Sequence, residues 1–235
     1  MAGRPRGVGD AAILRAAVEV IGRVGPAGLT LAAVAREVGL VPGTLVQRFG
    51  SKRGLLVALA ASAVQDAEVL HERASTGHAS ALAALDAFAA GSMSEMSTPE
   101  RFANHLAFLC LDLTDPELHE HALAVHRAQC HVIELLLGEA AAGGELRDGT
   151  DTRALARTIR AVVTGTGLSW ALDREGTLPD RLRQEIGAVL APHLRKGREE
   201  PWGTWQGRSP SSPAGRAAAG AASPSSSEPP ARPST

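Results

Sequence analysis

Residues 34–52, "VAREVGLVPGTLVQRFGSK", decide how this chain is read. Two short apolar-periodic pieces flank Gly39 and Pro42, and the stretch closes on Gln47, Arg48, Ser51 and Lys52. Ala35 is small where two helices must approach closely, and Gly39 sits in a turn where positive φ costs glycine little. Leu45 is expected to pack under Val34 and Val38. A small residue, a turn glycine and an aliphatic at these positions have the spacing of a helix-turn-helix. The second helix, 42–48, is too short to be stable alone. Pro42 suits its first turn, where a missing N–H is no loss. A helix held by its neighbours leaves its outer face free, and that face carries Gly43, Thr44, Gln47 and Arg48. Gln pairs in bidentate fashion with adenine and Arg with guanine. Lys52 and the start of the next helix suit a backbone phosphate. The partner these residues point to is double-stranded DNA.

Composition agrees on helix. Of 235 residues, 3% are aromatic and none is Tyr, whereas strands enrich aromatic and β-branched side chains. A hydrophobic fraction of 44% supplies a core. The net charge of −1 argues against nucleic acid, but its distribution does not: residues 1–60 hold eight basic and three acidic side chains, the remainder 16 and 22. A basic end on an acidic body fits a polyanion at one end only. No run of about 18 apolar residues is apparent, so no membrane partner is expected. "MAGRPRGVGD" leads into an amphipathic segment rather than an apolar leader. Two cysteines, Cys110 and Cys130, make no disulfide framework. A reduced, cytoplasmic protein is the expectation.

Working outward from the opening stretch, Ile13, Ala16, Ala17, Val20, Ile21 and Val24 recur at helical spacing and Gly25 follows as a stop. Thr30 is placed to cap the short helix that carries Val34 and Ala35. Ser51 is placed to cap a helix over 52–73, and small polar residues over 74–80 predict a break. Further helices are expected over 79–95, from Thr98–Pro99, from Asp115–Pro116 to 142, over 151–174, and from Pro179 to near Lys196. The expected organisation is a DNA-binding head over 1–58, a helical body over 59–196 and a tail over 197–235. The tail is rich in Pro, Ser, Gly and Ala and cannot bury enough apolar surface to offset its ordering entropy. Trp202 and Trp205 are its apolar points, expected to pack loosely on the body.

From Asp10 to Leu59 the chain resembles the TetR family of bacterial transcriptional regulators. Thr30, Val34, Ala35, Gly39, Gly43, Thr44, Leu45, Phe49, Ser51, Lys52 and Leu55 carry the resemblance in one register. Beyond them the likeness is architectural: further helices, the run "GELR" ahead of the penultimate one, and total length. The resemblance implies an all-α fold, with a three-helix DNA-binding head on a larger helical body. It implies that the body dimerises through its last two helices and encloses a ligand pocket; a repressor released from a palindromic operator by a small apolar effector is the expectation. Thr30, Pro42, Gly43, Thr44, Gln47, Arg48 and Lys52 become the DNA-binding candidates, with Arg4 and Arg6 in an N-terminal arm. Two positions depart from the family. Val41 stands where Ser is common and Val46 where Tyr is usual, and neither offers a hydroxyl to a phosphate. Weaker non-specific binding with a flatter salt dependence is expected.

In the body, Phe88, Phe102, Leu106, Leu109, Leu123 and Trp170 form an apolar stripe on helices that surround the ligand in this family. Thr166, with His105 and His126 as polar handles, completes the candidate pocket for a small apolar effector. His126 and Cys130 are four apart on one helix, a ligand spacing. With Cys110, His105 and His119 nearby in the sequence, they keep a metal- or redox-responsive regulator as an alternative; a helical interaction protein without DNA binding is another. No metal site and no cofactor are expected. GxSxG, Walker, HExxH and paired-carboxylate patterns are absent from the sequence, which argues against an enzyme. A homodimer is expected because two heads read a palindrome, with half-site centres about 34–36 Å apart or a multiple. Leu155, Ile159, Val162 and Val163, with Leu182, Ile186, Val189, Leu190 and Leu194, are the faces expected to pair.

Overall fold

A computed structural model describes residues 8–78 and 80–195. Arg4, Arg6, Trp202, Trp205 and the expected tail lie outside the described residues. The described chain is all-helical: α1 Asp10–Gly28, α2 Leu31–Glu37, α3 Pro42–Phe49, α4 Lys52–Gly77, α5 Ala81–Ser92, α6 Pro99–Thr114, α7 Pro116–Ala142, α8 Thr152–Asp173 and α9 Leu178–Leu190. Short 3-10 turns, Ser94–Met96 and Ala191–His193, follow α5 and α9.

Most helices begin at a side chain that accepts a backbone N–H left over in the first turn. Thr30 takes Ala33 N, Ser51 takes Gly54 N, Ser80 takes Ala83 N, Thr98 takes Arg101 N, Asp115 takes Glu117 N and Leu118 N, and Thr177 takes Asp180 N. The helix ends follow tertiary packing. The break expected over 74–80 begins only at His78, because Ala74 is buried in the body core and its contacts hold the last turn of α4. α1 bends where Gly25 was expected to end it: Gly25 has φ 69°, and Pro26 opens one more turn.

Two apolar cores form. In the head, Ile13, Ala17 and Ile21 of α1 meet Val34, Ala35, Leu45 and Leu55, all essentially inaccessible. The body core gathers Leu82, Leu85, Phe88, Leu136, Leu137, Ile159, Leu182 and Ile186. Each such side chain contributes about 1.5–3 kcal/mol when fully buried. The head core continues to Leu59 and Ala60 of α4 and takes in Leu118 of α7, so the boundary expected at 58/59 falls inside α4. By length and composition alone α4 is apolar enough to cross a membrane, although Asp66 and Glu68 interrupt its apolar run. It is a helix shared by the two cores: its first turns line the head core, and its second half carries Asp66 and Glu72 in solvent.

Head and body meet along α1 and α6. Pro26 has no N–H to offer Gly22, and Asn104 Nδ2 donates to that carbonyl instead at 2.9 Å. Arg101 lies against Gly22 so closely that a Cβ there would stand 2.9 Å from its Cζ. Its Nε donates to the Glu95 carbonyl at 2.7 Å and its NH1 to Glu19 at 3.1 Å, joining α1 to the turn after α5. Arg101 holds the Glu19 carboxyl below its ordinary range, while burial and the Glu19 contact push Glu95 up. At the other side Arg53, at the start of α4, pairs with Asp115 and Glu117 at 2.8 Å each. Farther along the body, Glu145 is buried and accepts Ala81 N at 3.0 Å, adding to the cap of α5.

Candidate nucleic-acid interface and body cavity

α3 is anchored by Leu45, with Phe49 partly buried against the head core, and is largely open elsewhere. Leu45 is fully buried, while Val41, Pro42, Gly43, Val46, Gln47 and Arg48 are exposed and Thr44 is half-buried. Gly39, at φ 68°, makes the turn from α2, and Leu40 N closes it on Ala35 O at 2.8 Å. Val41 holds the N-cap position without a capping side chain. Val41 and Val46 are 68% and 50% exposed, so the two positions without hydroxyls lie on the open surface beside Gly43, Thr44 and Gln47. Thr30 caps α2 from the neighbouring edge.

The structure engages the two candidate cations elsewhere. Arg48 NH1 donates to the Val8 carbonyl at 2.5 Å and to Asp10 Oδ1 at 3.1 Å. Lys52 Nζ donates to the Pro26 carbonyl at 2.6 Å, a carbonyl at the end of the bent α1. Arg23 pairs with Glu37 at 2.6 Å, tying α1 to α2. These contacts tie the head helices to one another, while Arg48 itself stays exposed. Arg15 and Arg36 are exposed and form no ion pair among the described residues. The sequence reading did not single them out, and only their lack of a spatial partner distinguishes them.

The expected pocket stripe is also corrected. Phe88 and Phe102 are 1% and 5% exposed and Thr166 is buried, all inside the packed core. Phe102 packs so tightly on α8 that a Cβ on Gly167 would stand 2.4 Å from its Cε2. Leu106 is partly buried against that core. His105 is partly buried with Nε2 unpartnered, and burial lowers its pKa. Leu109, Leu123 and His126 instead face outward. The reason is a change of neighbour along α6: Phe102 packs into the body core, but Phe108 packs against the head core. That change turns Asp112 inward and leaves Leu109, Leu111 and Leu113 outside. His126 and Cys130 do lie together, Nε2 to Sγ 3.7 Å, but no cluster of three or more metal-capable side chains occurs among the described residues.

Trp170 borders a cavity among the described residues, and the other candidate pocket residues do not line it. The cavity, about 210 Å³, lies between the α5–α6 connection and the α8–α9 turn. Its apolar wall is Met93, Met96, Trp170, Leu178, Pro179 and Leu182. Ser94, Ser97 and Thr177 supply hydroxyls. Trp170 Nε1 donates to the Gly176 carbonyl at 3.2 Å, which fixes the indole over the α8–α9 turn. The sequence reading missed Met93 and Met96 because they stand in a short turn without helical period. The dimer faces are corrected as well. Leu155, Ile159, Val163, Leu182, Ile186 and Leu190 seal the monomer's own core, while Ala161, Gly165, Leu168 and Leu172 form the outward strip of α8.

Residues 13–59 match the family of bacterial regulatory proteins, tetR family. Among solved structures, a TetR-family transcriptional regulator from Rhodococcus sp. is similar, with 25% identity and a TM-score of 0.61 over 79% of this chain and 98% of the other. SmeT, the repressor of the Stenotrophomonas maltophilia multidrug efflux pump SmeDEF, shares 24% identity with a TM-score of 0.59, over 83% and 95% of the two chains. A transcriptional regulator from Saccharomonospora viridis, solved in complex with choline, shares the fold at 19% identity, TM-score 0.62, over 79% and 96%. No curated protein matches this chain in sequence.

Proposed function

We propose that this chain, whose residues 13–59 match the TetR family of bacterial transcriptional regulators, is a homodimeric repressor released from a palindromic operator by a small molecule. The observation that carries the reading is α3: one buried anchor, Leu45, and an exposed face presenting Gly43, Thr44 and Gln47. In this reading Thr44 and Gln47 meet base edges in the major groove. Thr30, Pro42 and Gly43 approach the phosphate backbone. Arg48 and Lys52 act from behind, setting the angle of α3 through their contacts with α1. Arg15 and Arg36 add positive potential on the head.

A responsive body is supported by relatives of this fold that hold small molecules. SmeT has been solved with triclosan, and the Saccharomonospora regulator with choline. Pairing of two subunits is supported by the strip Ala161, Gly165, Leu168 and Leu172, whose small residues permit close approach of two α8 helices. Leu168 and Leu172 are 45% and 76% exposed, an apolar surface that a partner would cover.

The test is a gel-shift titration of the full chain on DNA upstream of its own gene, at two salt concentrations and with competitor DNA. Retarded complex that survives competitor is expected. Binding that competitor removes completely would place the protein outside specific regulation.

A further inference from the structure

The cavity under Trp170 is separated from the head by one short piece of chain. Its floor is formed by Met93, Ser94, Met96 and Ser97. Glu95 stands in the middle of that segment, and its carbonyl and carboxylate accept from Arg101 at 2.7 and 3.3 Å. The same guanidinium reaches Glu19 on α1. One turn of chain therefore has a cavity on one side and the latch between body and head on the other.

The lining defines the occupant. Among the described residues it contains no ionisable side chain, so a charged ligand would lose its hydration without a counter-charge. Two thioethers and an indole give soft, polarisable walls suited to a ring. Thr177 already donates to Asp180 Oδ2 at 2.6 Å, which leaves Ser94 and Ser97 as the hydroxyls nearest to hand. An apolar cavity of about 150 Å³ holds benzene, so 210 Å³ suits a substituted single ring or a small fused ring.

We propose that this cavity is the effector site, that it takes an uncharged ring-sized molecule with at most one hydrogen-bonding group, and that occupancy shifts the Met93–Ser97 segment and loosens the Glu95–Arg101–Glu19 latch on α1. The proposal rests on the regulator reading and adds the site, the class of ligand and the route. The ligand acts only through unequal affinity for the latched and unlatched arrangements.

The experiment uses the full chain with ¹³C-labelled methionine methyls, indole as the uncharged probe and indole-3-carboxylate as its charged counterpart. The chain has three methionines, and Met93 and Met96 both line the cavity. Saturable shifts of those two signals with indole are expected, at least tenfold weaker with the carboxylate and lost in Ala90→Leu, which fills the wall. The same samples are titrated onto the upstream DNA. Indole is expected to weaken operator binding at least tenfold in the natural protein, and to leave it unchanged in Arg101→Ala and Glu95→Gln, both of which still bind indole. Unmoved Met93 and Met96 signals, or equal response to both probes, overturn the site and its ligand class. Shifted signals with unchanged operator affinity overturn the route. Indole binding in a protein that never binds the DNA leaves the cavity standing and removes the regulator reading instead.

Discussion

The head and the body differ in how fully their polar groups are paired. In the head, Arg23, Arg48, Lys52 and Arg53 each reach a carboxylate or a carbonyl on another element, and Thr30 and Ser51 close helix starts. In the body, pairing is partial: Glu145 accepts Ala81 N and Arg183 donates to Asp86, while His71 Nε2, Asp86 Oδ1, His105 Nε2, Asp112 Oδ1, Gln129 Oε1 and Arg160 Nε have no protein partner among the described residues. Burying a polar atom without a partner costs about 1–3 kcal/mol. The contrast sets a head whose cations tie its helices together beside a body whose buried polar groups are only partly paired.

The comparison breaks first at the two cores. Leu45→Ala should cost about 2–5 kcal/mol and abolish DNA binding, because Leu45 is the one fully buried side chain of α3 and only the partly buried Phe49 supports it. Leu137→Ala, equally buried in the body, should cost a similar amount while the protein that remains folded keeps its DNA affinity. Urea denaturation together with gel shifts below the unfolding transition checks both. Equal loss of DNA binding in the two variants would make head and body one module.

A smaller effect is expected at the contact between α6 and α8. Gly167→Ala drives a methyl into the Phe102 ring, an overpacking of about 1–3 kcal/mol. Calorimetry should show a Tm lower by about 2–4 °C for each kcal/mol, with operator affinity unchanged. An unaltered Tm would mean that the ring moves aside freely.

These particular residues also show what was legible. Thr30, Ser51, Ser80, Thr98, Asp115 and Thr177 cap helices through atoms two or three residues away, and Gly39 turns the chain by its own φ, so both are written locally. The all-α fold and the helix-turn-helix followed from such signals and from apolar period. Arg48 and Lys52 find their carbonyl partners 40 and 26 residues away, and nothing local announces either contact. The pocket stripe failed for a related reason. Period gives the face of α6 but not the residue at which α6 exchanges one core for another, so Phe108 and Asp112 turned inward in place of Leu109 and Leu113.

Asp112 gives a milder test of the body. Burial, with a contribution from the Asp115 charge, pushes its carboxyl up to about 6 from 3.8. A raised pKa favours the protonated carboxyl in the fold. The favourable contribution is complete below pH 3.8 and is lost as pH rises through about 6. Asp112→Asn should therefore flatten the fall in Tm between pH 4 and 7, with a gain of a few degrees at neutral pH, equivalent to roughly 1 kcal/mol. A slope unchanged in the variant would assign the pH dependence to other groups. The smallest effect is expected at the surface of α3, where Val46→Tyr returns a hydroxyl. It should steepen the dependence of log affinity on log salt by about 0.9, one phosphate contact, measured by anisotropy on random-sequence DNA. An unchanged slope would mean that α3 meets the backbone at another angle.

The central claim, that the outer face of α3 reads bases, is tested most directly by measuring affinity for operator variants substituted one base pair at a time, with the natural protein and with Gln47→Ala. A loss of about 1–3 kcal/mol on the natural site is predicted. Discrimination should collapse at one position in each half-site and persist at the others. Equal loss at every position and on random DNA would contradict the claim, because it would reduce Gln47 to a phosphate contact.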